Sequence, residues 1–534
     1  MYRLENNIIT TDHDPLDEKY VGGLGCYCFN FMKKNGDKIA QINVATDEQE
    51  TYNTLLLKSI RTGIALRKMG IKKGDLVTFF SKRNLNSCVP MIASFLIGAI
   101  PSYIDTTFPL FDIVHFMKTI NPKLFLVTPD FLETIKSLIG EEQQNTSTVA
   151  FTEDFFTPVE EEAKFMPIFV DDLQETAIIH FSSGSTGYPK GIYINHYSLV
   201  CNKAFSFENL WIENQPKVVL TFDSLHWSIE SLRLLCSIKE GVCRLIVPDE
   251  DDMKKAWFFL DKYKVNLAYL IPWTLVNMFE NGKPNNMDFR DLTTIYIEGS
   301  LLPAKYHQGL QKILPNVDIF HWYGQSEAGG LTTFRKNDLH REYNRTKPGC
   351  VGTPILGFGM SLKVVDLESG EAVGPNKPGE LRVKSRALMN GYHNLDSSDQ
   401  FDDDGWIKTG DMVYYDEDFC FFIVDRIKDL ILFQGLHIVP ALVEAELLTH
   451  PAVKFAVVVG VPDDKDTEHA LGLVALYDNF SSVTSGEIEK YVEERVPDKY
   501  RLRGGVKMIK ESYLKSTNKI KRFKLKQLVL FGEI

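Results

Sequence analysis

No CxxC pair occurs anywhere in the 534-residue chain, and of its eight cysteines only Cys26 and Cys28 stand close together. That scatter excludes a disulfide scaffold and supplies no zinc-ligand spacing, so a reducing compartment is expected. Positive charge is also short: 59 lysines and arginines face 71 aspartates and glutamates, for a formal charge of -12. Binding along a phosphate backbone by counterion release needs a basic face, and this balance argues against nucleic acid as a partner. Long apolar runs are missing as well. The most apolar stretch, "VPMIASFLIGAIPSYI" at 89–104, is interrupted by Pro90 and Pro101, leaving about half of the ~20 residues that a membrane span requires. It reads as a buried helix followed by a strand, and no transmembrane segment is expected. The opening "MYRLENNIITTDHDP" lacks the apolar core of a signal peptide, and the closing "LFGEI" is no peroxisomal tripeptide. A cytoplasmic protein follows as the expectation, with no obligate protein partner evident.

What is present is an ordinary globular composition, 44% apolar, in a chain long enough for roughly three or four folding units. Helix-like segments such as "TYNTLLLKSIRTGIALRKMG" at 51–70 alternate with strand-like ones such as "DLVTFF" and "KLFLV". This alternation marks α/β layering. Residues 141–165 are acidic and low in apolar side chains, which reads as a surface excursion. Beyond about residue 425 the pattern restarts, with "VPALVEAELLTH" and "SGEIEKYVEERV" as helices and "VKFAVVVGV" and "LGLVALY" as strands. The expected architecture is a large, multi-subdomain α/β domain over 1–425 and a small, mobile α+β domain over 426–534.

The segment "HFSSGSTGYPKG" at 180–191 crowds glycines and hydroxyl side chains around Lys190, between the strand-like "TAIIHF" and "GIYINH". Such runs are often linkers, but this one is held at both ends. Glycines let successive backbone N–H groups turn toward an anion, hydroxyls add donors, and Lys190 adds a point charge. The loop is not of the Walker type: Pro189 precedes the lysine, Gly191 follows it, and a strand comes next instead of a helix.

Four further motifs follow in order: "HWYGQSEAGG" (321–330), "KTGDM" (408–412), "VDRIKDLILFQG" (424–435) and "STNKIKR" (516–522). With "FFIVDRIKDLI" and "RLRGGV", this series resembles the adenylate-forming superfamily of acyl-CoA synthetases, coumarate-CoA ligases, peptide-synthetase adenylation domains and beetle luciferases. The resemblance covers nearly the whole chain. It implies ATP, Mg²⁺ and coenzyme A as cofactors and a small-molecule carboxylic acid as substrate. It also implies roles for single residues. Ser182, Ser183, Gly184, Ser185, Thr186, Gly187 and Lys190 hold the β- and γ-phosphates. Glu327 binds Mg²⁺, and Tyr323 stacks on adenine within a wall that includes Gly299, Ser300, Gly324 and Ser326. Asp411 takes the ribose hydroxyls, with Arg426 at the same end. Lys428 is the hinge of the small domain, which brings Lys519 for adenylation and Gly435 afterwards. In this chain Asn518 stands where the family usually has glycine before that lysine, and Leu442 stands where it often has glutamate.

By the same resemblance the acyl pocket is lined by 226–229, 298–302 and 324–330, which places Trp227, Ile229, Glu298 and Gln325 in it beside His226, which counts with Lys519 and Glu327 as catalytic. His226 keeps the first histidine of a luciferase "FHH" segment, and Trp227 replaces the second. Glu298 replaces a usual glycine; a buried carboxylate is costly unless paired, so it either reaches solvent or meets a cation or donor. An aromatic or amine-bearing acid fits this pocket as well as a fatty acid does. The expected activity is adenylation of the acid followed by thioester formation. A luciferase that oxidises its own adenylate with O₂, and an inactive binding module, are the alternatives.

Overall fold

The computed structural model describes residues 2–12, 22–108, 110–139, 146–182, 189–200, 217–357, 359–480, 482–514 and 522–534. Short apolar runs bounded by turns become strands buried along their whole length, such as Leu124–Val127, Leu267–Leu270 and Thr294–Ile297, as expected where both faces of a sheet are covered. They belong to two large sheets. The nine-stranded sheet has at its centre the strands Asp318–Gln325, Thr294–Ile297, Leu267–Leu270, Val218–Thr221, Cys243–Ile246 and Ile39–Asn43, all parallel to one another. Parallel neighbours need long crossovers, and the helices Ser228–Glu240, Ala256–Lys262, Pro272–Asn281 and Ala304–Ile313 lie in the connecting segments. The seven-stranded sheet carries Thr176–Phe181 against Gly191–Asn195, antiparallel, so the glycine-rich loop joins two paired strands. Between these sheets lie Gly23–Asn35, Tyr52–Lys68 and Val89–Ile97, the last buried at all nine positions. That explains why the apolar run at 89–104 has no polar face. Among the described residues no helix is long and apolar enough to cross a membrane.

A third, antiparallel sheet contains Tyr2–Glu5, Ile8–Thr11, Ser361–Val365, Gly379–Lys384, Ile407–Tyr415 and Phe421–Arg426. The small C-terminal domain has its own sheet, built on the hairpin Val453–Asp463 and Thr467–Leu476, and its own core around Val443, Leu447, Val458, Val474, Ile488 and Val492. Its helix Ser485–Glu493 starts on a capping box, Thr484 accepting from the Glu487 N–H while the Glu487 carboxylate returns to the Thr484 N–H.

Two local expectations change. The acidic stretch is no simple surface excursion: Ser147–Ala150 adds an edge strand, Phe155, Phe156 and Phe165 are buried, and Arg61 pairs with Glu162 at 2.6 Å. Three aromatic anchors outweigh the polar composition. "KTGDM" also reads locally as a turn, yet it lies within the strand Ile407–Tyr415, with Gly410 at φ +66°.

Candidate active site

The carboxyl ends of the parallel strands open onto one crevice, the usual place for ligands in such sheets. Segments carrying sequence-identified residues leave the sheet there. His226, Trp227 and Ile229 follow the strand that ends at Thr221, Glu298–Ser300 follow Ile297, and Tyr323–Gln325 close the strand from Asp318. Gly324 is obligatory in that last strand: the chain bulges between Tyr323 and Gly324, and a Cβ at 324 would stand 2.4 Å from the Gly329 carbonyl oxygen. Beyond the buried Glu298, Gly299 (φ +83°) and Ser300 are exposed at the rim.

Asp411 is the meeting point. Its strand neighbour in register is Arg426, which places the two side chains on one face, and Arg426 Nε lies 2.6 Å from Asp411 Oδ1. The Tyr323 hydroxyl and the Gln325 amide both donate to Asp411 Oδ2 at 2.6 Å. Burial pushes Tyr323 well above the ordinary phenol range, and the Asp411 carboxylate pushes it further. Burial works against the charge on Arg426, but Asp411 together with Tyr323, Glu327 and Asp429 outweighs it and the guanidinium is held more firmly protonated. A carboxylate offers about four acceptor positions, and these three donors leave one of them for a ligand hydroxyl. Gln325, expected in the acyl pocket, borders a cavity with Ser228 and Ser326 and turns its amide to Asp411 and the Thr409 carbonyl.

A second group gathers nearby. The ends of the glycine-rich loop are tied together, the Ser182 N–H donating to the Lys190 carbonyl at 2.8 Å and the Lys190 N–H to Ser182 Oγ at 3.2 Å. Lys190 Nζ lies 4.6 Å from the centroid of the Tyr392 ring, and the Tyr392 hydroxyl donates to Glu327 Oε1 at 3.2 Å. Lys190 and Glu327 thus share one aromatic wall. Tyr392 had no signal in the sequence, since an aromatic after glycine in a two-residue strand matches no motif. Glu327 is a half-buried, hard oxygen donor, the type of ligand that a Mg²⁺ ion shared with phosphate takes. Ser183, Gly184, Ser185, Thr186, Gly187 and Lys519 lie outside the described residues.

His226 is buried beside Phe108, Phe116 and Trp227, with its ring stacked on Phe181 at 5.5 Å. Its Nδ1 donates to the Tyr103 carbonyl at 3.0 Å, which leaves Nε2 as an acceptor. Burial lowers it to about 4, so it is neutral at pH 7. Ser228 and Ser326 touch through their hydroxyls at 3.1 Å, and Ile229 packs against the main core. Lys428 lies in the single turn Ile427–Asp429 that follows Arg426. Gly435 sits with Gln434 in a two-residue hairpin turn, both at positive φ, which Gln434 anchors to Asp466 within the small domain at 2.7 Å. These two are not among the groups gathered at Asp411 or Glu327.

Glu298 meets the cation that its position demands. It is only 6% exposed and contacts Arg233; Arg233 also pairs with Asp223 at 2.8 Å and Glu230 at 3.2 Å. Burial, with Asp223 adding to it against the pull of Arg233, raises the Glu298 carboxyl to about 8. The folded protein therefore keeps a proton that the unfolded chain releases near 4.5. The stability this contributes is complete below that value and disappears as pH rises to about 8. Melting temperatures measured from pH 6.5 to 8 are expected to fall for the wild type more steeply than for Glu298→Gln. Superimposable slopes would place the proton elsewhere. Buried His226 and His180, lowered to about 4 and about 3, take up a proton near 6.5 only on unfolding, a contribution common to both proteins that cancels in the comparison.

Comparison with known proteins identifies the family. The family model described as AMP-binding enzyme matches residues 28–393, and that described as AMP-binding enzyme C-terminal domain matches residues 442–519. A 4-coumarate–CoA ligase of Petroselinum crispum is 27% identical over 485 residues, covering 89% of this chain and 88% of its own. The luciferase-like enzyme of the nonluminescent mealworm Zophobas morio is 28% identical, with TM-score 0.73 over 81% of this chain and all of its own. In fold alone the chain is similar to O-succinylbenzoate–coenzyme A synthetase of Bacillus subtilis, solved with ATP and magnesium ion (22% identity, TM-score 0.79, 94% of this chain and 99% of that one). The chain belongs to the AMP-binding enzymes, the adenylate-forming family that includes the acid–CoA ligases.

Proposed function

We propose that the protein joins a carboxylic acid to the α-phosphate of ATP, releases pyrophosphate, and passes the acyl group to coenzyme A. The observation that carries this reading is the convergence of Tyr323, Gln325 and Arg426 on Asp411, in the family's order of motifs. The uncatalysed step is slow because an anionic carboxylate must approach an anionic phosphate, so the site must supply alignment and positive potential. Lys190 and the glycine-rich loop hold the phosphates, Glu327 takes Mg²⁺, and Asp411 with Arg426 fixes the ribose end. Similarity to the 4-coumarate–CoA ligases favours coenzyme A as the second acceptor.

In this reading the small domain turns about Lys428 between the two half-reactions and carries Lys519 in for the first. Lys519→Ala is expected to abolish pyrophosphate release from acid and ATP, yet still convert a chemically supplied acyl-adenylate to thioester. Equal loss of both steps would contradict that division. The parent experiment is pyrophosphate release with a panel of acids and Mg²⁺-ATP, thioester followed with coenzyme A, and light recorded in parallel. Light without thioester would transfer the second step to O₂ and luciferase chemistry.

A further inference from the structure

Tyr392 stands between the two ends of the nucleotide site. It belongs to the two-residue strand Gly391–Tyr392, which pairs antiparallel with Gly191–Asn195, the strand that leaves the glycine-rich loop. The same segment also grips Glu327, because the Met389 N–H donates to the Glu327 carbonyl at 2.9 Å. The Tyr392 side chain repeats both contacts: its ring centroid lies 4.6 Å from the Lys190 ammonium, and its hydroxyl reaches Glu327 Oε1 at 3.2 Å. That hydroxyl also lies 2.9 Å from Gln400 Oε1. Gln400 in turn donates through Nε2 to the Lys408 carbonyl, three positions before Asp411 in the strand Ile407–Tyr415.

A phenol has one proton to donate, and here it meets two acceptors. Reversing the Gln400 amide does not remove the conflict, since its Oε1 would then oppose the Lys408 carbonyl, acceptor against acceptor. Tyr392 therefore donates fully to only one of Glu327 and Gln400, and the charge on Glu327 decides which. A carboxylate with its full charge is the stronger acceptor. One whose charge is shared with a divalent cation attracts the proton less, and the proton turns to Gln400. The amide is then bonded at both ends, and each bond in such a chain strengthens the next. The strand that presents Asp411 is steadied as a result.

Resting on the acid-activating reading above, we propose that Tyr392 is a positioning residue that links the metal and phosphate end of the site to its ribose end, with Gln400 as the relay. Glu327 with Mg²⁺ bound then favours the ribose contacts at Asp411, and by linkage the bound nucleotide favours the metal. The ring has a separate task, since it faces the Lys190 ammonium whichever way the proton points.

The test is calorimetric titration of the full-length protein with ATP, in Mg²⁺ and in EDTA, and with AMP. The proteins compared are the wild type, Tyr392→Phe, Gln400→Ala and the double variant. Tyr392→Phe keeps the ring against Lys190 and removes only the donor. The factor by which Mg²⁺ raises ATP affinity should be smaller in Tyr392→Phe than in the wild type by ~10-fold, an ordinary size for coupled sites. AMP lacks the β- and γ-phosphates, so its affinity should stay within about threefold. Gln400→Ala should show the same deficit and the double variant no larger one, because both residues act in one chain. A Mg²⁺ enhancement in Tyr392→Phe equal to that of the wild type would overturn the proposal. So would additive deficits in the double variant, or a Tyr392→Phe protein that binds ATP and AMP more weakly by one factor under both conditions, the mark of a structural role only. A wild type that binds no ATP, or releases no pyrophosphate with any acid, is a different failure, since it removes the adenylation reading and this proposal with it.

Discussion

Asp411→Ala is expected to lower pyrophosphate release at least ~100-fold, the equivalent of about 3 kcal/mol of transition-state stabilisation, mostly through weaker ATP binding. Three donors converge on this carboxylate: the Tyr323 hydroxyl, the Gln325 amide and the Arg426 guanidinium. Removing it leaves the two neutral donors without their acceptor, at about 1–3 kcal/mol for each one that stays buried. Arg426 loses its counter-charge, though its side chain is about one-third exposed, 35%, and water absorbs part of that loss. The wall would therefore loosen as well as lose its ribose acceptor. Asp411→Asn separates the two effects, because it keeps the volume and one acceptor oxygen while removing the charge that holds Arg426. Calorimetric titration with ATP, read beside the melting temperature, distinguishes them. ATP affinity unchanged in both variants would remove Asp411 from the nucleotide site.

Glu327→Gln is expected to abolish most of the Mg²⁺-dependent rate, by ~100-fold or more, as loss of a ligand carboxylate at a phosphate-transfer centre implies. The substitution preserves shape and keeps an oxygen that can accept from Tyr392, so the aromatic wall against Lys190 should persist. What disappears is the negative charge. Raising Mg²⁺ should recover part of the rate if Glu327 holds the ion, because weaker binding is offset by mass action. A loss unaffected by Mg²⁺ would assign Glu327 to positioning alone.

The four residues at Asp411 show how far local reading reached. Tyr323, Gln325 and Arg426 were each singled out from short motifs, but the motif text is silent on where their side chains point. Gln325 was expected to line the acyl pocket; it borders a cavity with Ser228 and Ser326 while its amide reaches Asp411. Glu298 is the reverse case. Its need for a partner was legible from the cost of burying a carboxylate, while the partner, Arg233, belongs to no motif in the sequence. The aromatic residues of 141–165 were outvoted by their acidic neighbours in a composition argument, yet burial counts each side chain by the area it removes from water.

What the sequence determined by itself is therefore local in range. Runs of apolar residues set the buried strands and the helix at 89–97, the capping box set the start of the helix at 485, and two flanking strands marked the glycine-rich loop as held. Each depends on neighbours within a few positions, where backbone geometry fixes which side chains share a face. The tertiary structure alone decided the long pairings: Tyr323 with Asp411 across 88 positions, Tyr392 with Glu327 across 65, and Arg233 with Glu298. Those depend on how separate sheets and helices pack against one another, since Tyr323 and Asp411 stand in different sheets. Because the entropy of closing a loop grows only slowly with its length, distance along the chain carries almost no information about which residues meet.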